Sequence, residues 1–374
     1  MKKIGIITIH KIYNYGSVLQ AYALQKKCED LGFGVEIIDY EFPNQFHQHN
    51  QYNDGFDSQP NEPQWIKLLF SRALMRQHKG ISSFVKNYQH LSRQKYNTPE
   101  SLKSDIPVYD VYISGSDQIW SPRHCKGDPA FMLHFAPNNS TKISYASSIG
   151  SDIIPSDLQS LYKELLSRYD CISVRENSGV DIIHSLTGKD VEVVLDPTLL
   201  LDKNEWNQIA ISKRLVKKKY ILCYFLNYTF NAFPYVDKLA RHIQRITGYK
   251  IVQVARPSHS LFSSKTIYQI GASPEEFISL IRDAEMILTT SFHGTAFAVN
   301  YGKPVFTIVK DKKNGDSRQV SLMQNLGLED KVLSMYDAFP KKAQFFYDLV
   351  DEQRRLNNLR CKSMDYIKKA INNE

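Results

Sequence analysis

Three residues in this chain, each placed just after a short apolar run, are of the types from which acid–base chemistry on an anionic substrate is built: His293, Asp117 and Arg175. His293 lies in MILTTSFHGTAFAVNYGKP, residues 286–304, which reads as strand, tight loop, short helix and turn. The loop 291–294 follows an apolar run, so it falls at a strand's carboxyl end, where open α/β sheets bind ligands. Thr290, Ser291 and Gly294 flank the imidazole, and the small residues Thr295, Ala296 and Ala298 let another group approach closely. A helix start beside the ring offers N–H groups and a positive dipole to a phosphate or carboxylate. Asp117 follows the run 108–114 with Ser116 and Gln118 beside it, placed to accept a proton or a hydroxyl hydrogen bond. Arg175 follows the run 170–174 and presents a permanently charged fork matched to carboxylate or phosphate. Each has a plainer use: a locally satisfied histidine, an aspartate capping a turn, an arginine in a salt bridge.

These residues need elements to hold them, and the spacing supplies them. Residues 3–9 form a nearly continuous β-branched run, as expected for a parallel strand buried on both faces. The loop HKIYNYGS and a helical pattern over 18–31 follow, then a strand over 35–40, giving a βαβ unit. Its first turn carries Asn14, Tyr15, Gly16 and Ser17, which can hold an anion or a sugar hydroxyl, or serve as an ordinary cap. The turn is neither G-x-G-x-x-G nor G-x-x-x-x-G-K-[ST], so neither nicotinamide dinucleotides nor P-loop chemistry has direct support. Residues 44–63 are polar, rich in Asn and Gln and punctuated by Gly and Pro, which suits a mobile insertion. Residues 65–96 interleave apolar and basic side chains. They read as a helical pair with a solvated basic face, or as a basic lid at a membrane surface. Strands at 142–147, 170–174 and 191–195 and a helix at 155–168 complete a first half. Strands at 220–226, 250–254, 286–290 and 305–309 with helices at 234–246 and after His293 build a second. Ser317, Arg318 and Gln319 are expected on the loop after 305–309, which puts a second cation one strand from His293. Residues 343–371 form a long amphipathic helical pattern, expected to pack across both halves.

The chain is therefore expected to be α/β, with two α/β halves in tandem: 1–205, carrying an insertion at about 42–104; 206–345; and a helical tail, 346–374. A length of 374 residues suits two domains better than one. The net charge of +8 favours anionic ligands, anionic lipid surfaces or nucleic acid, and no nucleic-acid recognition motif supports the last. Cys28, Cys125, Cys171, Cys223 and Cys361 are odd in number and lack C-x-x-C pairing, so no zinc site and no disulfide framework is indicated. No secretory signal and no apolar run of the roughly 20 residues a membrane span needs is visible, so a cytoplasmic location is expected.

The strings NYGSVLQAYALQ, GSDQIW, ISVRE, VLDPTLL and TTSFHGTAFAVNYGKP together resemble the polysaccharide pyruvyl transferase family, over roughly residues 5–328. The resemblance implies a GT-B-like fold of two Rossmann-like halves facing a cleft. It also implies transfer of the pyruvyl group of phosphoenolpyruvate onto two sugar hydroxyls as a cyclic ketal, in a cell-wall or surface polysaccharide. It gives His293 the role of acid and Arg175 a donor-binding role, with Thr290, Ser291, Gly294 and Arg318 around the donor. The acceptor side, the first half, would use Asn14, Tyr15, Gly16, Ser116, Asp117 and Gln118. No cofactor and no metal is expected. The acceptor is expected to be a sugar unit, lipid-linked or in a growing oligosaccharide, and the basic insertion fits a peripheral contact with an anionic membrane surface. Several members carry an arginine two residues before the histidine, where this chain has Ser291. A hydroxyl cannot replace a guanidinium charge, and Arg318 is the expected substitute. A nucleotide-sugar glycosyltransferase of the same fold and a non-catalytic glycan-binding homologue are the alternatives.

Overall fold

The computed structural model describes residues 2–41, 64–226, 230–254, 266–312 and 317–373. The polar stretch 44–63 lies outside them. The chain divides into two compact units, Met1–Gln51 with Val85–Leu200 and Asn358–Glu374, and Tyr52–Phe84 with Leu201–Asn357.

In the first unit, β1 (Lys3–Ile7), β2 (Gly34–Tyr40), β3 (Leu91–Tyr96), β4 (Val111–Ser114) and β5 (Thr141–Ser144) form a sheet ordered β3-β2-β1-β4-β5, parallel throughout. β6 (Ile172–Val174) and β7 (Val191–Val193) pair with each other. Single bridges carry the ladder onward at the carboxyl ends: Asp117 pairs with Ser147, and Ser147 with Val174. Four of the five β1 residues and every β4 residue are buried, because apolar layers cover both faces. One layer is built on Ala21, Leu24 and Cys28 of the helix Tyr15–Asp30 together with Tyr366, Ile367 and Ile371. The other is built on Trp120, Phe131, Tyr162 and Leu166.

The second unit repeats the plan. β8 (Tyr220–Tyr224), β9 (Lys250–Gln253), β10 (Thr266–Tyr268), β11 (Met286–Thr289), β12 (Val305–Val309) and β13 (Val332–Ser334) run in the order β10-β9-β8-β11-β12-β13, again all parallel. Each sheet reverses its strand order beside its first strand, the topology of a Rossmann-like switch point. The expected fold class, α/β with two Rossmann-like halves, is met in both sheets.

Several boundaries differ from expectation. Residues 65–96 are one helix, Gln64–Tyr88, followed by the edge strand β3, not a helical pair. The burial of LSRQKY alternates poorly, with Arg93, Gln94 and Lys95 all exposed, so its strand character comes from pairing with β2 and not from an apolar period. The first part of that helix belongs to the second unit, not to an insertion of the first. Ala73 and Leu74 pack on Tyr268 and Ile270, Gly80 lies against Ser273, and Arg76 donates to the Gly271 carbonyl at 2.6 Å. The last long helix is Val350–Asn372, so residues 343–349 precede it, and its end from Asn358 onward counts with the first unit. There Ser363 accepts the Leu195 amide, and the Tyr366 hydroxyl donates to the Ser144 carbonyl.

Near the start of that helix, Glu352 is 3% exposed, and its Oε1 has no hydrogen-bond partner among the described residues. Burial first, then Asp348 and Asp351, raises its carboxyl from the ordinary 4.5 to about 7. A raised folded value means that stability is fully present below the unfolded value and lost as pH climbs through the folded one. Glu352→Gln should therefore match wild type near pH 4 and exceed it at pH 8, read from denaturant midpoints. A constant difference across that range would show that Glu352 titrates normally.

Candidate functional site

In the first unit, the loops after β1 and β4 meet at the point where strand order reverses. Asn14 caps the helix Tyr15–Asp30: its Oδ1 accepts the Gly16 amide at 2.8 Å and the Ser17 amide at 3.4 Å. That is the plainer of the two uses expected for it. Tyr15 is 1% exposed and belongs to the core, not to a binding surface. Ser17, at the same helix start, donates its hydroxyl to Asp117 Oδ2 at 2.6 Å, tying the two loops together.

Asp117 has φ of +73°, a left-handed conformation that aspartate tolerates better than most residues. The position is over-determined. Its carbonyl accepts the Ser148 amide at 3.0 Å, its Oδ1 accepts the Gln118 amide at 2.9 Å, and Ser17 holds Oδ2. The Gln118 side chain lies over Gly150, whose own φ is +59° and where any Cβ would strike it.

Arg175 does not stand open as a cation. Its side chain is 1% exposed, with Nη1 donating to Asp196 Oδ2 at 2.7 Å and Nη2 3.8 Å from Asp117 Oδ1. Asp196 is itself wholly buried and accepts from the hydroxyl of Ser116 at 3.0 Å and from the amide and hydroxyl of Thr198. The salt bridge, the competing use for an arginine at a strand end, is therefore what the structure contains. Asp196 is the residue that sequence reasoning passed over. The available signal was that a buried guanidinium requires a buried acid, and VLDPTLL supplies one. Glu176, equally unclaimed, accepts from the Ser148 hydroxyl and the Ile149 and Gly150 amides, which pins the segment paired with Asp117.

In the second unit the loop after β11 is stitched to the loop after β8. The Thr289 hydroxyl donates to the Tyr224 carbonyl, and that of Thr290 donates to the Leu226 carbonyl while accepting the Leu226 amide. Ser291 is the N-cap of the helix Phe292–Asn300, accepting the Gly294 amide at 3.3 Å, so His293 and Gly294 lie inside the first helical turn and not in a loop. The helix rests on an aromatic stack in which Phe297 meets Trp206 at 5.1 Å and Phe277 at 5.9 Å, and Phe277 meets Tyr224 at 5.1 Å. His293 is 7% exposed, its ring 5.2 Å from that of Phe292. Arg318, expected on a loop, sits in the first turn of the helix Ser317–Leu326 after β12, its guanidinium carbon 5.9 Å from the same Phe292 ring. Two helix starts and a guanidinium thus gather around Phe292 beside His293, an arrangement suited to anions.

A family profile, polysaccharide pyruvyl transferase, matches residues 14–311. A search of curated proteins found no match. Solved structures of similar fold include a UDP-N-acetylglucosamine 2-epimerase, with TM-score 0.53 and 11% identity over 100% of this chain and 97% of that one. Another, from Listeria monocytogenes and assigned as a UDP-N-acetylglucosamine 2-epimerase, has TM-score 0.50 and 11% identity over 96% of this chain and 90% of that one. These likenesses are of fold.

A Cβ on Gly294 would overlap Thr289 Oγ1 and sit 3.0 Å from the Tyr224 ring. Gly294→Ala should therefore cost about 1–3 kcal/mol through overpacking, read as a lowered unfolding midpoint. An unchanged midpoint would mean that the helix start shifts freely and does not fix His293.

Proposed function

The chain belongs to the polysaccharide pyruvyl transferase family, and on that footing we propose that it moves the pyruvyl group of phosphoenolpyruvate onto two hydroxyls of one sugar, forming a cyclic ketal. The observation that carries the reading is His293 in the first turn of a helix at a strand's carboxyl end, with Arg318 sharing the Phe292 ring. Phosphoenolpyruvate brings a carboxylate and a phosphate, so it calls for helix amino ends and a guanidinium. Arg318 and the helix start at Ser291 answer that need.

The atoms balance as follows. The donor's terminal CH₂ carbon takes a proton from His293, and the first sugar hydroxyl bonds to the neighbouring carbon and gives up its proton. The second hydroxyl then bonds to the same carbon as phosphate departs, leaving a methyl ketal. Of the two hydroxyl protons, one replaces that lost by the imidazole and the other leaves with phosphate. Asp117, at the switch point of the first unit, is a carboxylate chemically suited to hold the hydrogen bond of a sugar hydroxyl. The acceptor is a sugar of a surface or cell-wall polysaccharide, carried on a lipid during assembly. The exposed Arg72, Lys79 and Lys86 of the helix Gln64–Tyr88 favour an encounter with an anionic membrane face. The transfer is read as metal-independent.

Calorimetric titration with phosphoenolpyruvate, uridine diphosphate and guanosine diphosphate tests the donor. Wild type should bind phosphoenolpyruvate alone, and Arg318→Ala should weaken it about 10- to 100-fold, the range for losing a charge-assisted contact. Phosphate release can be followed with the source organism's own polysaccharide, freed of ketals by mild acid. His293→Gln should lower turnover by about 10²–10⁴ while keeping donor affinity, and a chelator should change nothing. Binding of a nucleotide without phosphoenolpyruvate would overturn the reading in favour of glycosyl transfer.

A further inference from the structure

We infer that Arg175 is a positioning residue for Asp117, not a ligand of the donor, and that the switch point of the first unit receives neutral hydroxyls and not an anion. The inference rests on the function proposed above and departs from the donor-binding role that the family resemblance implies for this arginine.

The argument begins with which group is outermost. The Arg175 side chain is 1% exposed, whereas that of Asp117 is 11% exposed. An approaching anion would therefore meet the carboxylate before the guanidinium. The guanidinium is already shared between two acids, at 2.7 Å from Asp196 and 3.8 Å from Asp117. One positive charge between two negative ones attracts no third at short range, and a donor with both carboxylate and phosphate would be repelled there. A sugar hydroxyl meets no such penalty, because a carboxylate is an acceptor with capacity beyond the bonds it already makes.

The remaining contacts explain what the arginine does. Asp117 is held in a left-handed conformation, its oxygens hydrogen-bonded by Ser17 and the Gln118 amide, and Arg175 Nη2 stands 3.8 Å from Oδ1 as an ion pair without a hydrogen bond. Asp196, anchored by Ser116 and Thr198, fixes the guanidinium in turn. The chain of support runs from the DPT turn through Asp196 and Arg175 to Asp117. Anion binding then falls to the second unit, with Arg318 and the helix starting at Phe292.

The test compares wild type with Arg175→Lys and with the charge-neutral pair Arg175→Gln/Asp196→Asn, which leaves no uncompensated buried charge. Folding of each is checked by near-ultraviolet circular dichroism. Both should bind phosphoenolpyruvate within about twofold of wild type, while in the charge-neutral pair turnover on the ketal-stripped polysaccharide falls about 100-fold and the acceptor KM rises. Arg175→Lys should recover part of the turnover, since an ammonium keeps the charge but loses the fork. A merely structural role would lower all constants together through loss of folded protein and would not split donor affinity from acceptor KM. Folded variants that lose phosphoenolpyruvate binding would overturn the inference and restore Arg175 to the donor. Failure of wild type itself to bind phosphoenolpyruvate would instead overturn the proposed reaction, and this assignment with it.

Discussion

The constraint on which both units depend is the unmet backbone at the carboxyl ends of their parallel strands. Inside the ladder each N–H and C=O has a partner, and where the strands stop the chain must find others or leave buried polar groups unsatisfied. Hydroxyl side chains provide them. In the first unit Ser144 and Ser173 exchange bonds with each other's backbone, and Ser147 donates to the Gly115 carbonyl. In the second unit Thr289 and Thr290 do the same work against Tyr224 and Leu226, while Thr295 meets Thr307. Short hydroxyls let loops from different strands approach closely. That closeness is what brings Ser17 to Asp117 and sets His293 at a capped helix start.

The two strand-end clusters then part company in their electrostatics. In the first unit Arg175 and Asp196 are both buried, and the most exposed charged group of the trio is the Asp117 carboxylate. In the second, Arg318 and His293 share an aromatic ring at the amino ends of two helices. The same architecture thus presents an acceptor of hydrogen bonds in one unit and a field favourable to anions in the other.

Much of this was legible in the sequence because the central strands are buried on both faces. β1, β4, β8, β11 and β12 read as apolar runs, and the helices after β1, β8 and β11 follow from their spacing. His293, Asp117 and Arg175 fall at strand ends as expected, and Asp117 and Arg175 come together across the Ser147 bridge. Less legible were features decided by tertiary partners. β3 is polar and takes its form from pairing at a sheet edge. The helix Gln64–Tyr88 carries basic residues that read as a solvated face, while its assignment to a unit was decided by contacts of Gly80, Ala73 and Arg76 with residues near 270. Whether an arginine at a strand end is open or buried is likewise invisible in one dimension, since it turns on an aspartate 21 positions away.

Ser291 serves the second unit as a cap and not as a cation. The residue that precedes a helix must leave helical backbone angles while its side chain accepts an amide of the first turn, and serine is among the best at this. Ser291 does so, with φ of −98° and its hydroxyl accepting the Gly294 amide. An arginine at this position offers only donors and cannot cap the turn, so a chain with arginine there has a charge at the expense of a cap. This chain has the cap, which holds His293 and Gly294 in the tight helical start that Tyr224 and Thr289 demand. A guanidinium stands near that start from a neighbouring strand end. The loop after β12 is the adjacent one, and Arg318, in the first turn of the helix that follows it, approaches the histidine's own aromatic neighbour.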